Sequence, residues 1–301
     1  MTKNIRKILN EFSLICLCLL LFSISYANDH LVMQSKVSKK LHALELRDHV
    51  LIGVSEINIG NGSIINYRAN QRFPMDSTSK LMTVAAILKK SKTNPHFLKQ
   101  RIIFTQKEVA SSGYAPIVSK HIKSSMTVSD LCAASLEYSD SAAVNQLMKI
   151  LGGPDKVTQF ARSIGDEKYF LVRREPALNS AIPHDKRDTT TPLAMADSMQ
   201  KLVLGNALGY SRRTLLQAWL MHCKTGDSRI RAGVPHDFVV ADKTGTGDYG
   251  SIGDIGVIWR THGAPVVLVV YVRQNEKNAH TSDKVIAQTT KIVMNAISVL
   301  P

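Results

Sequence analysis

The chain has 301 residues, 44% of them hydrophobic and 21% charged, an ordinary globular composition that excludes a disordered chain and gives a substantial core in one or two domains. Its net charge of +14 (pI about 9.7) favours anionic surfaces or substrates. Because the basic residues are dispersed and aromatics make up only 6%, a nucleic-acid partner is not expected.

The first segment differs from the rest. Lys3, Arg6 and Lys7 precede the apolar run Leu14 to Phe22, and Ser25 and Ala27 place small residues before a cleavage point. That run is too short to span a bilayer comfortably, so residues 1–27 read as a signal peptide. The expected mature protein is exported and has no membrane anchor, periplasmic if the source has an outer membrane and secreted otherwise. Cys16 and Cys18 leave with the signal, and a bulky residue before each makes either a poor lipid-anchor site. Cys132 and Cys223 remain; a disulfide and two buried free thiols both stay open.

Val37 to Asp48 carries Leu41, Leu44 and Leu46 among charges, an amphipathic helix. Leu51 to Asn58 and Ser63 to Arg68 read as strands joined through Gly60-Asn61-Gly62, a strong hairpin signal. Next comes Phe73-Pro74-Met75-Asp76-Ser77-Thr78-Ser79-Lys80. Pro74 and Asp76 stand where a helix should begin, and Leu81, Met82, Val84, Ala85, Ile87 and Leu88 continue with helical spacing. Ser77 then falls in the first turn, with Lys80 on the same face. A hydroxyl beside unpaired helix N-H groups suits a nucleophile whose attack creates an oxyanion, and a nearby lysine can take or relay its proton. Ser-x-x-Lys alone is weak, since Ser198 to Lys201 repeats it inside a predicted helix.

Further helices are predicted at Lys80 to Lys89, Val128 to Leu136, Ala142 to Leu151, Pro154 to Ile164, Pro192 to Leu202 and Ser211 to His222. Ser139-Asp140-Ser141 opens the third of these as three short polar residues of the kind that cap helices. Arg173 to Thr191 is a long segment without periodicity, a length that is often functional. Beyond Gly233 the pattern turns to strands at Phe238 to Thr244, Gly253 to Trp259 and Pro265 to Arg273, with Lys243-Thr244-Gly245 ending the first. A helix from Asp283 to Val299 closes the chain. Gly245-Thr246-Gly247-Asp248-Tyr249-Gly250 spells a dinucleotide fingerprint, but a strand follows it where the pyrophosphate needs a helix. The ten histidines show no metal-ligand spacing, so neither a metal nor another cofactor is expected.

Strands at both ends with helices between them predict an α/β (α+β) fold. An antiparallel sheet flanked by N- and C-terminal helices (residues 28–68 and 221–301) faces a second, all-helical lobe (69–220) that includes the 173–191 loop, with the active site in the cleft between.

The ordered set Ser77-x-x-Lys80, Ser139-Asp140-Ser141, Arg173-Arg174-Glu175-Pro176-Ala177-Leu178-Asn179 and Lys243-Thr244-Gly245 resembles the class A serine β-lactamases. The likeness continues through Ala181-Ile182-Pro183, Arg187 to Pro192 and Ile255 to Trp259, and so covers nearly all of the mature chain. It implies a monomeric enzyme that opens the β-lactam ring through an acyl-enzyme at Ser77, with Lys80 and Ser139 relaying protons. It also implies an oxyanion hole from the N-H groups of Ser77 and Thr246, and a substrate-carboxylate site from Lys243, Thr244 and Thr246. Glu175 and Asn179 would position the deacylating water, with a cis Glu175-Pro176 bond suggested. Which of Lys80 and Glu175 is the base for acylation stays open. Arg173 and Asp188 match a pair that ties the loop shut, Tyr114 an aromatic at the mouth of the site, and Arg229 an arginine near the substrate carboxylate; read without the resemblance, the first two are a solvated ion pair, Tyr114 a partly buried tyrosine and Arg229 a surface cation.

Three departures stand out. Ser141 replaces the usual asparagine, which puts the contact to a substrate side-chain amide in doubt. Asp76 replaces an uncharged residue before the nucleophile, where a carboxylate suits the helix N-terminus but opposes a nearby oxyanion. Neither family disulfide can form, since Cys132 would face Val84 and the second pair corresponds to Asp76 and Gly247. The competing readings are a penicillin-binding transpeptidase or carboxypeptidase, which would lack the Glu175 loop, and a sensor module that stays acylated.

Overall fold

The computed structural model describes residues 30–297, so the signal-peptide expectation for residues 1–27 lies outside the described residues. Helix α1 spans 30–48 and buries Met33, Val37, Leu41 and Leu44 along one stripe. It begins seven residues before the predicted start because Met33 continues that stripe, whereas Leu46 is off it and 64% exposed. Strands β1 (Leu51–Asn58) and β2 (Ile64–Tyr67) form the expected hairpin, with Gly62 at φ +72° in the turn.

Strand β3 (Phe73–Pro74) corrects the reading of Pro74 as a helix start. It pairs with β6 (Thr189–Thr190) in a two-stranded ladder, an edge setting that tolerates proline's missing N-H. The chain then turns through Asp76 at φ +47° into one 3-10 turn, Asp76–Ser79, and continues as α2 (Lys80–Lys90). Every residue of α2 from Lys80 to Leu88 is buried, so this is the central helix of the molecule rather than a surface one.

Strands β4 (Arg101–Ile102) and β5 (Met126–Thr127) pair around α3 (Gln106–Ala110), a short helix that sequence reasoning missed. Capping boxes of Thr105 with Glu108 and Thr127 with Asp130 start α3 and α4 (Val128–Glu137). Helices α5 (Ser141–Leu151), α6 (Pro154–Ser163), α7 (Pro192–Met199) and α8 (Tyr210–Met221) lie within one or two residues of expectation, except that α7 runs on as a π-helical turn, Gln200–Leu204. Strands β7 (Val239–Thr246), β8 (Ile252–Trp259) and β9 (Val266–Arg273) and helix α9 (Lys284–Ile297) complete the described chain. Lys243, Thr244 and Gly245 therefore lie inside β7 rather than at its end.

The sheet runs β2-β1-β9-β8-β7, antiparallel throughout, so the two ends of the sequence meet where β1 pairs β9 from Leu51 against Arg273 to Asn58 against Val266. Strand alternation separates two cores. Val266, Leu268, Val270 and Val272 of β9 pack with α1 and α9, while Val267, Val269 and Tyr271 join the larger core that includes α2. Among the described residues, no helix is long and apolar enough to cross a membrane.

Glu56 sits in β1 at 0% exposure, and neither carboxylate oxygen completes a hydrogen bond. Burial pushes its carboxyl up to about 8, against weaker pulls from the Ile65 backbone and the Arg260 charge. Folded protein keeps this proton well above the pH at which the unfolded chain releases it. The group's contribution is thus present at acid pH and lost as pH rises towards about 8, at about 1.4 kcal/mol per pH unit. Glu56→Gln, which cannot ionise, should lose less stability between pH 5 and 8 than the native protein in urea titrations; parallel stability curves would contradict this.

Candidate active site

Ser77 stands in the 3-10 turn before α2, three residues from Lys80. Lys80 Nζ donates to Ser77 Oγ at 2.8 Å and to the Ser139 carbonyl at 2.7 Å, with Ser139 Oγ at 3.3 Å and Ser141 Oγ at 3.4 Å. It also pairs with Glu175 Oε1 at 2.8 Å, each side chain being 1% exposed. Ser77 Oγ in turn donates to Glu175 Oε1 at 3.2 Å. Hydroxyl, ammonium and carboxylate are therefore in mutual contact.

Glu175 is fixed from several directions. Asn179 Nδ2 donates to Oε2, while Asn145 donates Nδ2 to the Glu175 carbonyl (2.9 Å) and accepts from its N-H (3.0 Å). Burial pushes the Glu175 carboxyl up, but the Lys80 charge and hydrogen bonds from Lys80, Asn179 and Ser77 outweigh it and hold the carboxyl below its ordinary value. The Glu175-Pro176 bond is cis. Asp188 and Arg173 meet at 2.5 Å at the neck of the loop. Asp188 is 1% exposed and also accepts from the N-H groups of Val172 and Arg173, so the pair is a built-in part of the fold and not a solvated one.

Strand β7 supplies the facing wall. Lys243 Nζ donates to Ser139 Oγ at 3.0 Å, joining β7 to the turn before α5. Burial lowers its pKa to about 8 and the Lys80 charge acts in the same sense, while nearby Cys223, Asp242 and Asp254 oppose. Thr244 Oγ1 contacts Thr225 Oγ1. Arg229 is 6% exposed, which removes the surface-cation reading. It is held by Asp283 Oδ1 (2.8 Å) and donates to the carbonyls of Gly245 and Gly253 and to Thr246 Oγ1 (2.8 Å). A Cβ on Gly245 would come within 2.8 Å of the Met75 carbonyl and 3.1 Å of the Ser77 N. Glycine here lets the strand press against the nucleophile's turn.

These groups line a cleft of about 290 Å³ with Ser77, Ser139, Ser141, Glu175 and Asn179 on one side and Thr225, Arg229 and Thr244 to Thr246 on the other. Tyr114, 60% exposed, stands in its lining. Lys80 and Lys243 lie buried beneath it. Sequence reasoning missed Asn145, although its place one helical turn after Ser141 on α5 was a usable signal; Thr225 carried none. The second Ser-x-x-Lys tetrad is structural, since buried Ser198 donates to Asp166 Oδ2 and Lys201 to the Ile164 carbonyl. Gly245 to Gly250 forms the end of β7 and its turn into β8. Cys132 and Cys223 are free and buried. Among the described residues, no three His, Cys, Asp or Glu side chains converge as a metal site.

A serine hydroxyl contacting both a lysine and a carboxylate, opposite a cationic strand, has the groups needed to form and hydrolyse an acyl ester. Comparison with known proteins agrees with this geometry. A model of the β-lactamase enzyme family matches residues 36–297. β-Lactamase CTX-M-97 of Escherichia coli is 49% identical over 259 residues, covering 86% of this chain and 88% of that protein. β-Lactamase OXY-1 of Klebsiella oxytoca is 48% identical over 261 residues, covering 87% and 89%. The crystal structure of a β-lactamase from Desulfarculus baarsii superposes with a TM-score of 0.86 at 43% identity, covering 88% of this chain and 98% of that one. Fold, constellation and relatives lead to one conclusion: the chain belongs to the β-lactamase enzyme family, as a class A serine β-lactamase.

Proposed function

We infer that this protein hydrolyses β-lactams, and so confers resistance to them, by forming an acyl-enzyme at Ser77 that water activated by Glu175 then releases. The observation that carries the reading is the buried Glu175 carboxylate, held in contact with both Ser77 and Lys80 and clamped by Asn145 and Asn179. A transpeptidase or a sensor that stays acylated needs no such group, and nothing favours either.

Acylation begins when Ser77 Oγ attacks the lactam carbonyl. Since Lys80 donates to Ser77 Oγ, the serine's own proton is directed at Glu175 Oε1, which favours Glu175 as its acceptor. The oxyanion is assigned to the N-H groups of Ser77 and Thr246, supported by the close approach of Gly245 to Ser77 N. Ser139 Oγ accepts from Lys80 and Lys243, which leaves its own proton for the departing lactam nitrogen. Lys243, Thr244, Thr246 and Arg229 form a cationic, hydroxyl-rich wall suited to the substrate carboxylate. Ser141 is assigned to the substrate's side chain, Asn179 to the cleft beside Glu175 where it holds the deacylating water, and Tyr114 to the mouth. In deacylation Glu175 takes a proton from water attacking the Ser77 ester. We further read the protein as exported without a membrane anchor, on the strength of the signal pattern in residues 1–27, as a monomer by its family resemblance, and as two lobes, 28–68 with 221–301 and 69–220.

Ser77→Ala should abolish covalent labelling by a fluorescent penicillin, since Ser198 is buried and bonded to Asp166. Labelling that survived at Ser139 or Ser198 would overturn the assignment. Ser141 offers one short hydroxyl where an amide would reach further into the cleft, and a hydrogen bond is worth about 0.5 to 1.5 kcal/mol net. Ser141→Asn should therefore raise kcat/KM for substrates with an acylamido side chain by roughly 2- to 13-fold. An unchanged or lower value would show that the site is adapted to serine.

A further inference from the structure

Asp76 occupies the residue before the nucleophile and is 1% exposed. Its Oδ2 accepts from Ser251 Oγ at 2.7 Å, and its Oδ1 has no hydrogen-bond partner. The side chain is wedged under the turn between β7 and β8. A Cβ on Gly247 would lie 2.3 Å from Asp76 Oδ1 and 2.6 Å from the Asn179 carbonyl oxygen, so these two acceptors converge on the same face of that glycine. The Asn179 carbonyl belongs to the loop that carries Glu175, and it accepts one N-H, from Asp248, at 2.9 Å. A buried carboxyl oxygen without a donor, facing a carbonyl oxygen across the same glycine, is electrostatically unfavourable as an anion and is relieved by a proton directed from one to the other.

We propose that Asp76 is a positioning residue that works as a neutral acid. A proton on Oδ1, directed towards the Asn179 carbonyl, holds the nucleophile's turn to the Glu175 loop, while Ser251 holds Oδ2 to the β7–β8 turn.

The surrounding charges agree. Burial pushes the Asp76 carboxyl up to about 8; Ser251 opposes that rise, Glu175 adds to it, Arg229 opposes it and Asp248 adds to it. Tyr271, the remaining titratable group in electrostatic contact, is buried with its own pKa raised far above the usual range and stays neutral. Ionisation of Asp76 would leave a second carboxylate near Glu175, open the tie to Asn179, and set a negative charge one residue from the Ser77 N-H where the oxyanion forms. Turnover should fall as this proton is lost.

The kinetic consequence rests on the acyl-enzyme reading above, whereas the protonation state does not. Two measurements on the full protein therefore separate the two. In infrared difference spectra at pH 7, native minus Asp76→Asn should contain the carbonyl stretch of a protonated carboxyl, fading as pH rises through about 8. No such band would overturn the proposal whatever the enzyme's activity. In saturating nitrocefin, native kcat should fall about tenfold between pH 7 and 9, as expected of one group titrating near 8. Lys243 titrates in the same range and also donates to Ser139, so its share of any alkaline fall is common to the native protein and both variants. Asp76→Asn should show a smaller alkaline fall in kcat than the native protein whatever its absolute level, and Ser251→Ala, which removes a bond that favours the ionised form, should move the fall to higher pH. An Asp76→Asn profile that keeps the native fall would refute the role.

Discussion

Lys80 and Glu175 meet at 2.8 Å under Ser77 with almost no access to solvent. Taking both charges out of water is expensive, and their attraction offsets that cost only if the remaining protons and lone pairs are also satisfied. The surrounding structure supplies these partners. Ser139 and Ser141 oxygens surround the ammonium, Asn179 and Ser77 hydrogens reach the carboxylate, and Asn145 fixes the carboxylate's backbone. Removing one partner of such a pair leaves an uncompensated charge, which typically costs about 3 to 5 kcal/mol. The same geometry that makes the pair tolerable holds the serine between a donor and a proton acceptor.

Three corners of the site are made by non-glycine residues in the left-handed region: Asp76 at φ +47°, Ser139 at +59° and Asp188 at +57°. Each such residue costs on the order of 1 kcal/mol or more, and each is held by specific bonds. Ser251 holds Asp76, Lys80 and Lys243 hold Ser139, and Arg173 with two backbone N-H groups holds Asp188. Part of the backbone strain among the described residues thus lies beside Ser77, at Ser139 and at the loop neck.

Much of this was legible in the sequence. Alternation in β9 and the helical spacing after Lys80 depend on local periodicity, so the antiparallel sheet and the helix α2 could be read directly, though not the burial of α2 on all sides. Ser77 and Ser139 drew notice as polar residues at predicted helix starts, but their roles and those of Lys80, Glu175 and Lys243 came from the resemblance of the ordered motifs to the class A serine β-lactamases. What escaped depends on tertiary approach. Pro74 became a strand residue because Thr189 lies beside it, and α1 started early because its stripe has a partner sheet. Arg229 was ambiguous until Asp283 and the β7 and β8 carbonyls enclosed it. Asn145 stands one turn after Ser141, which aims it at the site, but its grip on Glu175 from 30 residues away is a tertiary pairing.

The central claim is that Glu175 makes this protein a hydrolase by activating the water that cleaves the Ser77 ester. General-base assistance is typically worth ~10² to 10⁴ in rate, so its loss should stall deacylation far more than labelling. Intact-protein mass spectrometry after mixing with benzylpenicillin tests this directly. Native protein should show no persistent adduct while the penicillin is consumed, and Glu175→Ala should accumulate a stoichiometric, long-lived acyl-enzyme. A native protein that already accumulates the adduct, with Glu175→Ala behaving no differently, would contradict the account.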